Sequence, residues 1–131
     1  MRGFHDDIEA LTTANSDFRR VLYTGHNLQL VLMSLPPGCD IGAEVHEDRD
    51  QFFRFEEGSG KVDIDDNSYD VGDGSGIIVP AGARHNVRNT GSGPLKLYTI
   101  YGPPEHIDSL VEASKADAMA RHEEWDGKTT E

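Results

Sequence analysis

The sequence predicts an all-β domain. Two observations carry that prediction. Turn signals built from Pro and Gly recur along the middle of the chain, and the stretches between them are short and have strand character. The signals are Pro36-Pro37-Gly38, Gly58-Ser59-Gly60, Gly72-Asp73-Gly74-Ser75-Gly76, Pro80-Ala81-Gly82, Gly91-Ser92-Gly93-Pro94 and Gly102-Pro103-Pro104. Short strands at regular spacing build a sandwich or a barrel. A length of 131 residues accommodates one domain and leaves no room for a second of any size.

Taken in order, Asp6–Leu11 reads as one or two helical turns. Strands follow at Phe18–Tyr23, Leu28–Leu35, Ile41–His46, Gln51–Glu57, Lys61–Ile64, Ser68–Val71, Gly76–Val79, His85–Arg88 and Leu95–Tyr101. Ser59–Val71 reads as a hairpin, because Lys61-Val62-Asp63-Ile64-Asp65 alternates and Asp66-Asn67 then turns. After Val111 the chain becomes rich in Ala and charge. Ser114 is a natural N-cap, with Asp117 near the first-turn amides, so a helix is expected to run to Glu124. Trp125 is expected to dock that helix, and the residues from Gly127 on to fray. The organisation expected is an N-terminal arm and first strand (1–27), a barrel core (28–104) and a C-terminal segment with a helix (105–131).

Twelve Lys and Arg stand against 24 Asp and Glu, a net charge of −12. Such a chain repels phosphate backbones, which argues against nucleic acid as a partner. No apolar run reaches the roughly 18 residues of a membrane span, and Met1–Asp7 lacks the apolar core of a signal peptide. The single Cys39 makes no internal disulfide, so a cytoplasmic location is expected.

Two motifs stand out. The first is Gly38-x5-Glu44-x-His46-x4-Gln51-x6-Gly58, and the second is Gly74-x5-Pro80-x-Gly82-x2-His85-x3-Asn89. Glu44 and His46 are two apart on an expected strand, so they share a face. Gln51 opens the next strand, and His85 opens another after the Pro80-Ala81-Gly82 turn. A carboxylate, an amide and two imidazoles meeting in a barrel mouth suit a divalent first-row ion better than Ca or Mg. The absence of sulfur from the set argues against a structural zinc site.

These motifs resemble the two signatures of the cupin superfamily over roughly Leu28–Pro103. The second matches at Gly74, Pro80, Gly82, His85 and Asn89. The first keeps the frame but has Glu44 where the usual first His stands and Gln51 where the usual Glu stands. The resemblance implies a jelly-roll β-barrel of two antiparallel sheets. It also implies one divalent transition metal (Zn, Mn, Fe, Ni or Co) on Glu44, His46, Gln51 and His85, and, through the pairing of exposed edges, a homodimer. The set carries one carboxylate, as the usual set does, so the charge of the site is unchanged. It also resembles the zinc set of the cupin-related phosphomannose isomerases, although no phosphate-binding Gly-rich loop or basic cluster is present.

Bland readings stand beside these. Alone, His46 and His85 are ordinary polar strand residues. Glu44 would then pair with a charged His85, and Gln51 would serve as a hydrogen-bonding core amide. Phe53 and Phe55 share the parity of Gln51 and line the interior, as core or as substrate contacts. Tyr98 and Tyr101 lie on opposite faces of the last strand, with Lys96 on the face of Tyr98, so these three are the candidate acid–base residues. Arg54, Arg84 and Arg88 read as surface ion-pair partners, Cys39 as structural, and His5, His26, His106 and His122 as surface or packing residues. The functional reading is a metal-dependent isomerase or lyase acting on a sugar-like or hydroxy-acid molecule, the ion polarising a carbonyl. The alternatives are a metal- or small-ligand-binding module without turnover, and a non-haem iron or manganese dioxygenase using the two-His, one-carboxylate subset.

Overall fold

The computed structural model describes residues 1–131. A short helix α1 (Ile8–Ala14) leads into ten strands: β1 (Arg19–Thr24), β2 (Gln29–Leu35), β3 (Glu44–Val45), β4 (Asp50–Glu57), β5 (Ser59–Ile64), β6 (Asn67–Gly72), β7 (Gly76–Val79), β8 (Arg84–Asn89), β9 (Leu95–Gly102) and β10 (Val111–Glu112). Helix α2 (Lys115–Met119) follows. The strands form a six-stranded sheet, β10-β1-β2-β9-β4-β7, and a four-stranded sheet, β3-β8-β5-β6. All the named pairs are antiparallel, and the two sheets make a jelly-roll barrel.

Side-chain alternation builds the interior. Strand β9 buries Leu95, Leu97, Thr99 and Tyr101 and leaves the residues between them partly exposed. Strand β4 likewise sends Gln51, Phe53 and Phe55 inward. These meet Val31, Met33 and Leu35 of β2, with Val62, Val71 and Val87 from the other sheet, in one apolar cluster. Strand β2 is buried on both faces, since α1 covers part of the outer side of the larger sheet. Asp7 caps α1 by accepting from the Ala10 amide at 3.0 Å.

All nine expected strands are present, with three adjustments. The strand read at Ile41–His46 survives only as Glu44–Val45, because Gly42 adopts φ +105 and breaks it. The hairpin turn falls on Asp65-Asp66, with Asp65 at φ +49, so Asn67 already belongs to β6. Strand β10 was not expected; two residues become a strand only by pairing with Arg19 and Arg20.

The C-terminal helix has its expected cap, Ser114 Oγ accepting from the Asp117 amide at 3.2 Å. It ends at Met119 rather than Glu124, and the chain then turns back along the barrel. Trp125 docks this returning segment instead of the helix, its amide donating to the Glu105 carbonyl at 2.9 Å. The end of the chain does not fray as expected: the Thr130 amide donates to the Thr24 carbonyl at 2.9 Å, and the Thr24 amide to Thr130 Oγ1 at 2.8 Å.

Two motif glycines explain their positions. Gly58 has φ +93, and a Cβ there would stand 2.4 Å from the Pro94 carbonyl oxygen. Gly82 has φ +89, and its amide donates to the His46 carbonyl at 2.8 Å, which draws the His46 backbone against the turn that precedes His85. Gly38, at φ +76 with nothing near its missing Cβ, is a contrasting case. Gly38→Ala is expected to cost about 1–2 kcal/mol from backbone strain alone, and Gly58→Ala distinctly more, because strain and a backbone clash add. Urea denaturation of the two variants measures the difference.

Candidate functional site

The site grows from three strands. Strand β3 pairs with β8 so that Glu44 lies directly opposite His85. His46 follows two residues after Glu44, just beyond the end of β3. Gln51 comes from β4 in the other sheet, opposite Tyr101 of β9 and Val79 of β7. Glu44, His46 and His85 each offer a ligand atom within 4.8 Å of the others. The two imidazole rings lie 5.4 Å apart, and His85 and Gln51 are both buried.

The donor chemistry fits a bound cation, on three observations. First, each histidine has its Nδ1 tied away from the centre. His85 Nδ1 lies 3.2 Å from the Ala83 carbonyl, and His46 Nδ1 lies 3.4 Å from Glu105 Oε2. Carbonyl and carboxylate partners on the far nitrogen are what hold metal-binding imidazoles in orientation. Second, His46 Nε2 is 2.9 Å from Glu44 Oε2 in an imperfectly aligned ion pair, which brings a carboxylate and an imidazole nitrogen together at the centre. Third, Gln51 Nε2 donates to Thr99 Oγ1 at 3.0 Å, while its buried Oε1 has no partner. An unpaired buried acceptor is costly, and a cation removes the cost. Glu44, His46 and His85 could thus hold an ion together, and Gln51 leaves an oxygen free for one.

Glu105 went unnoticed in the sequence. It ion-pairs with Arg49 as well as reaching His46. The loop that carries it is held by Gln29, a wholly buried amide on β2. Gln29 Oε1 accepts from the Glu105 and His106 amides at 3.2 and 2.9 Å, and its Nε2 donates to the His106 carbonyl at 2.7 Å.

The remaining candidates divide. Phe53 packs 6.2 Å from His85, ring to ring, and forms the apolar floor of the site. Phe55 stacks on Phe53 one layer deeper, as core. Tyr101 faces inward, its ring 5.9 Å from that of His46. Lys96 and Tyr98 are corrections: strand parity turns both outward. Lys96 Nζ donates at 2.7 Å to the Thr13 carbonyl in the last turn of α1, and Tyr98 packs 6.4 Å from Phe52 on the outer face. Of the four histidines read as surface or packing residues, His5, His26 and His122 are exposed, while His106 packs in the interior between the Tyr101 hydroxyl and the Glu123 carboxylate. No motif signalled Glu105, His106 or Glu123, which come from a loop and the returning C-terminal segment.

The electrostatics follow from this layout. Burial works against the Glu44 charge, but His46 beside it, with Arg19 and His85, holds its carboxyl below the ordinary range. The Glu44 carboxylate raises His46, against burial and with help from Glu105. Burial lowers His85 and pushes the Tyr101 hydroxyl well above its ordinary value. In the metal-free protein, Glu44 thus contributes stability that is lost as pH falls through its depressed pKa. His46 contributes stability that is lost as pH rises through its raised one.

Cation binding has to displace the proton that Glu44 favours on His46, whereas His85 is already neutral. Affinity for Co²⁺ is therefore expected to keep rising with pH above the ordinary histidine value of about 6.5. Just above that pH, about one proton should leave per ion bound. Calorimetry in two buffers of different ionisation heat counts that proton.

Comparison with known proteins agrees with this architecture. Residues 31–101 match the cupin domain family model. The chain is 48% identical over 120 residues to the uncharacterized protein YrkC of Bacillus subtilis, an alignment covering 87% of this chain and 64% of that protein's length. It is 43% identical over 110 residues to the uncharacterized protein L612 of Acanthamoeba polyphaga mimivirus, covering 79% and 68%. The crystal structure of BH2720 from Bacillus halodurans superposes with a TM-score of 0.90 at 48% identity, covering 92% of this chain and 96% of that one. The TT1209 structure from Thermus thermophilus does so at 0.68 and 26%, covering 76% and 96%. With both motifs in their expected places on a two-sheet barrel, this chain belongs to the cupin family.

Proposed function

We propose that this cupin holds one divalent first-row transition ion on Glu44, His46, Gln51 and His85, and takes a small hydroxy-acid or sugar-like molecule beside it. The observation that supports the reading is the grouping of Glu44 with two imidazoles whose far nitrogens are both engaged, together with the unpartnered, buried Gln51 Oε1 on the strand that faces them. When bound, such an ion supplies Lewis acidity toward a carbonyl oxygen. The chain's own contribution is a donor set held in place from behind by Glu105 and the Ala83 carbonyl, with Phe53 as an apolar wall.

Of the three last-strand residues considered as acid–base groups, only Tyr101 faces inward, and burial keeps it protonated. That favours binding without turnover. The second reading is an isomerase or lyase. It is favoured by the nearness of Tyr101, whose ring lies 5.9 Å from that of His46, as the one last-strand candidate that faces the donors. Metal analysis of the purified chain, followed by NMR of hydroxy acids and sugars in D₂O, separates the two. Line broadening without deuterium incorporation supports the binding module, and incorporation at carbon supports the isomerase or lyase. Bound iron with oxygen uptake would instead support a dioxygenase.

The ligand set ranks its own variants. Glu44→Gln removes the one anionic donor and is expected to weaken metal binding most. His85→Ala comes next and Gln51→Ala least, because a neutral amide is the weakest of these ligands for a borderline ion. Competition titration with Co²⁺ measures the order.

The same proposal includes a homodimer through the edge strand β7. Ile78 is 69% exposed there. It continues a cross-strand apolar row through Phe52, Ile100 and Leu30 on the outer face of the sheet. A second copy pairing at this edge would engage the free backbone groups and extend the row past Ile78. Light scattering is expected to give twice the 14.4 kDa chain mass, and Ile78→Lys to give the monomer.

A further inference from the structure

A side-chain amide has two ends of nearly equal size and opposite chemistry. The oxygen offers lone pairs to a cation, and the NH₂ offers only hydrogens. A carboxylate at the same position presents oxygen whichever way it turns. A chain that uses Gln51 as a ligand therefore needs something to choose the end. We propose that Thr99 chooses it, holding the Gln51 nitrogen back so that its oxygen faces Glu44, His46 and His85. The proposal rests on the metal-binding reading of those four residues.

The hydrogens can be counted. Thr99 Oγ1 donates its one hydrogen to the Phe52 carbonyl at 2.8 Å. Toward the Gln51 terminus, 3.0 Å away, it can then only accept, so that terminus is the nitrogen. Tyr101 stands directly across the β4–β9 ladder from Gln51, and Thr99 lies on the same inner face two residues back. The Tyr101 hydroxyl lies 3.3 Å from His106 Nε2. His106 Nδ1 faces the Glu123 carboxylate, whose second oxygen accepts from the Ile107 amide at 2.9 Å.

What remains of the amide is the buried Oε1 with no protein partner. Thr99, which lies outside the first motif, thereby becomes a positioning residue for its last ligand.

The experiment is a Co²⁺ competition titration of the full chain in two backgrounds, native and Gln51→Glu. In the native background, Thr99→Val is expected to weaken Co²⁺ binding by about tenfold, the lower end for partners that orient a ligand. Thr99→Ser, which keeps the acceptor, should restore it. In the Gln51→Glu background the same substitutions should change affinity by less than about twofold, since neither end of a carboxylate is wrong. Equal losses in the two backgrounds would overturn the proposal, assigning Thr99 to general support. So would undiminished binding by Thr99→Val in the native background. If Glu44→Gln and His85→Ala bind Co²⁺ as the native chain does, the metal reading itself has failed, and the proposal falls with it.

Discussion

The register of β4 against β9 is the constraint on which the rest depends. It sets Gln51 opposite Tyr101 and Phe53 opposite Thr99, with Phe55 opposite Leu97 at the centre of the larger sheet. Because side chains alternate, a slip of one residue would bring Phe52 and Arg54 inward and expel Gln51 together with the two Phe rings. The apolar cluster of Phe53, Phe55, Leu95 and Leu97 holds the register at one end. The polar end of the same two strands is then available for a site without weakening the core.

Around that end, buried polar groups are matched in layers. Arg19 lies inside the barrel and pairs with Glu112 at 2.7 Å. Burial opposes its charge, but Tyr101, Glu112 and Glu44 together outweigh it. Removing either member of such a pair is far costlier than the pair's net worth, because the other charge is left buried. Gln29 binds the Glu105–His106 loop through both ends of its amide, and the loop in turn presents Glu105 to His46 and His106 to Tyr101. The contrast with Gln51 is informative. One amide is satisfied by protein alone, while the other keeps an oxygen in reserve.

Much of this was legible in the sequence, and what was not has identifiable causes. Turn residues bounded nine strands because Gly and Pro act locally. Glu44, His46, Gln51 and His85 could be singled out because two spacings bring them to one end of a barrel. Strand parity put Tyr98 and Tyr101 on opposite faces, but parity alone does not say which face is inside. The clue lay in the alternation itself, since Leu95 and Leu97 share the face of Tyr101 while Lys96 shares that of Tyr98. Val111–Glu112, Glu105, His106 and Glu123 carry no local signature. Each takes its role from a partner far along the chain, so only the folded arrangement reveals them.

The free edges of the two sheets differ in character. Strands β3 and β10 offer only two residues each. Strand β6 is flanked by the Asp65-Asp66 turn and by Asp73, and carries Asp70 along its length. Short edges and acidic edges both resist strand addition. Strand β7 is longer than β3 or β10 and bears an exposed isoleucine in place of a charge. A molecule with a single receptive edge can zip to one neighbour and then has nothing left to offer a third. Growth into a fibre needs two receptive edges per molecule, so the unequal edges make any sheet extension self-terminating and keep a strand-rich chain from polymerising.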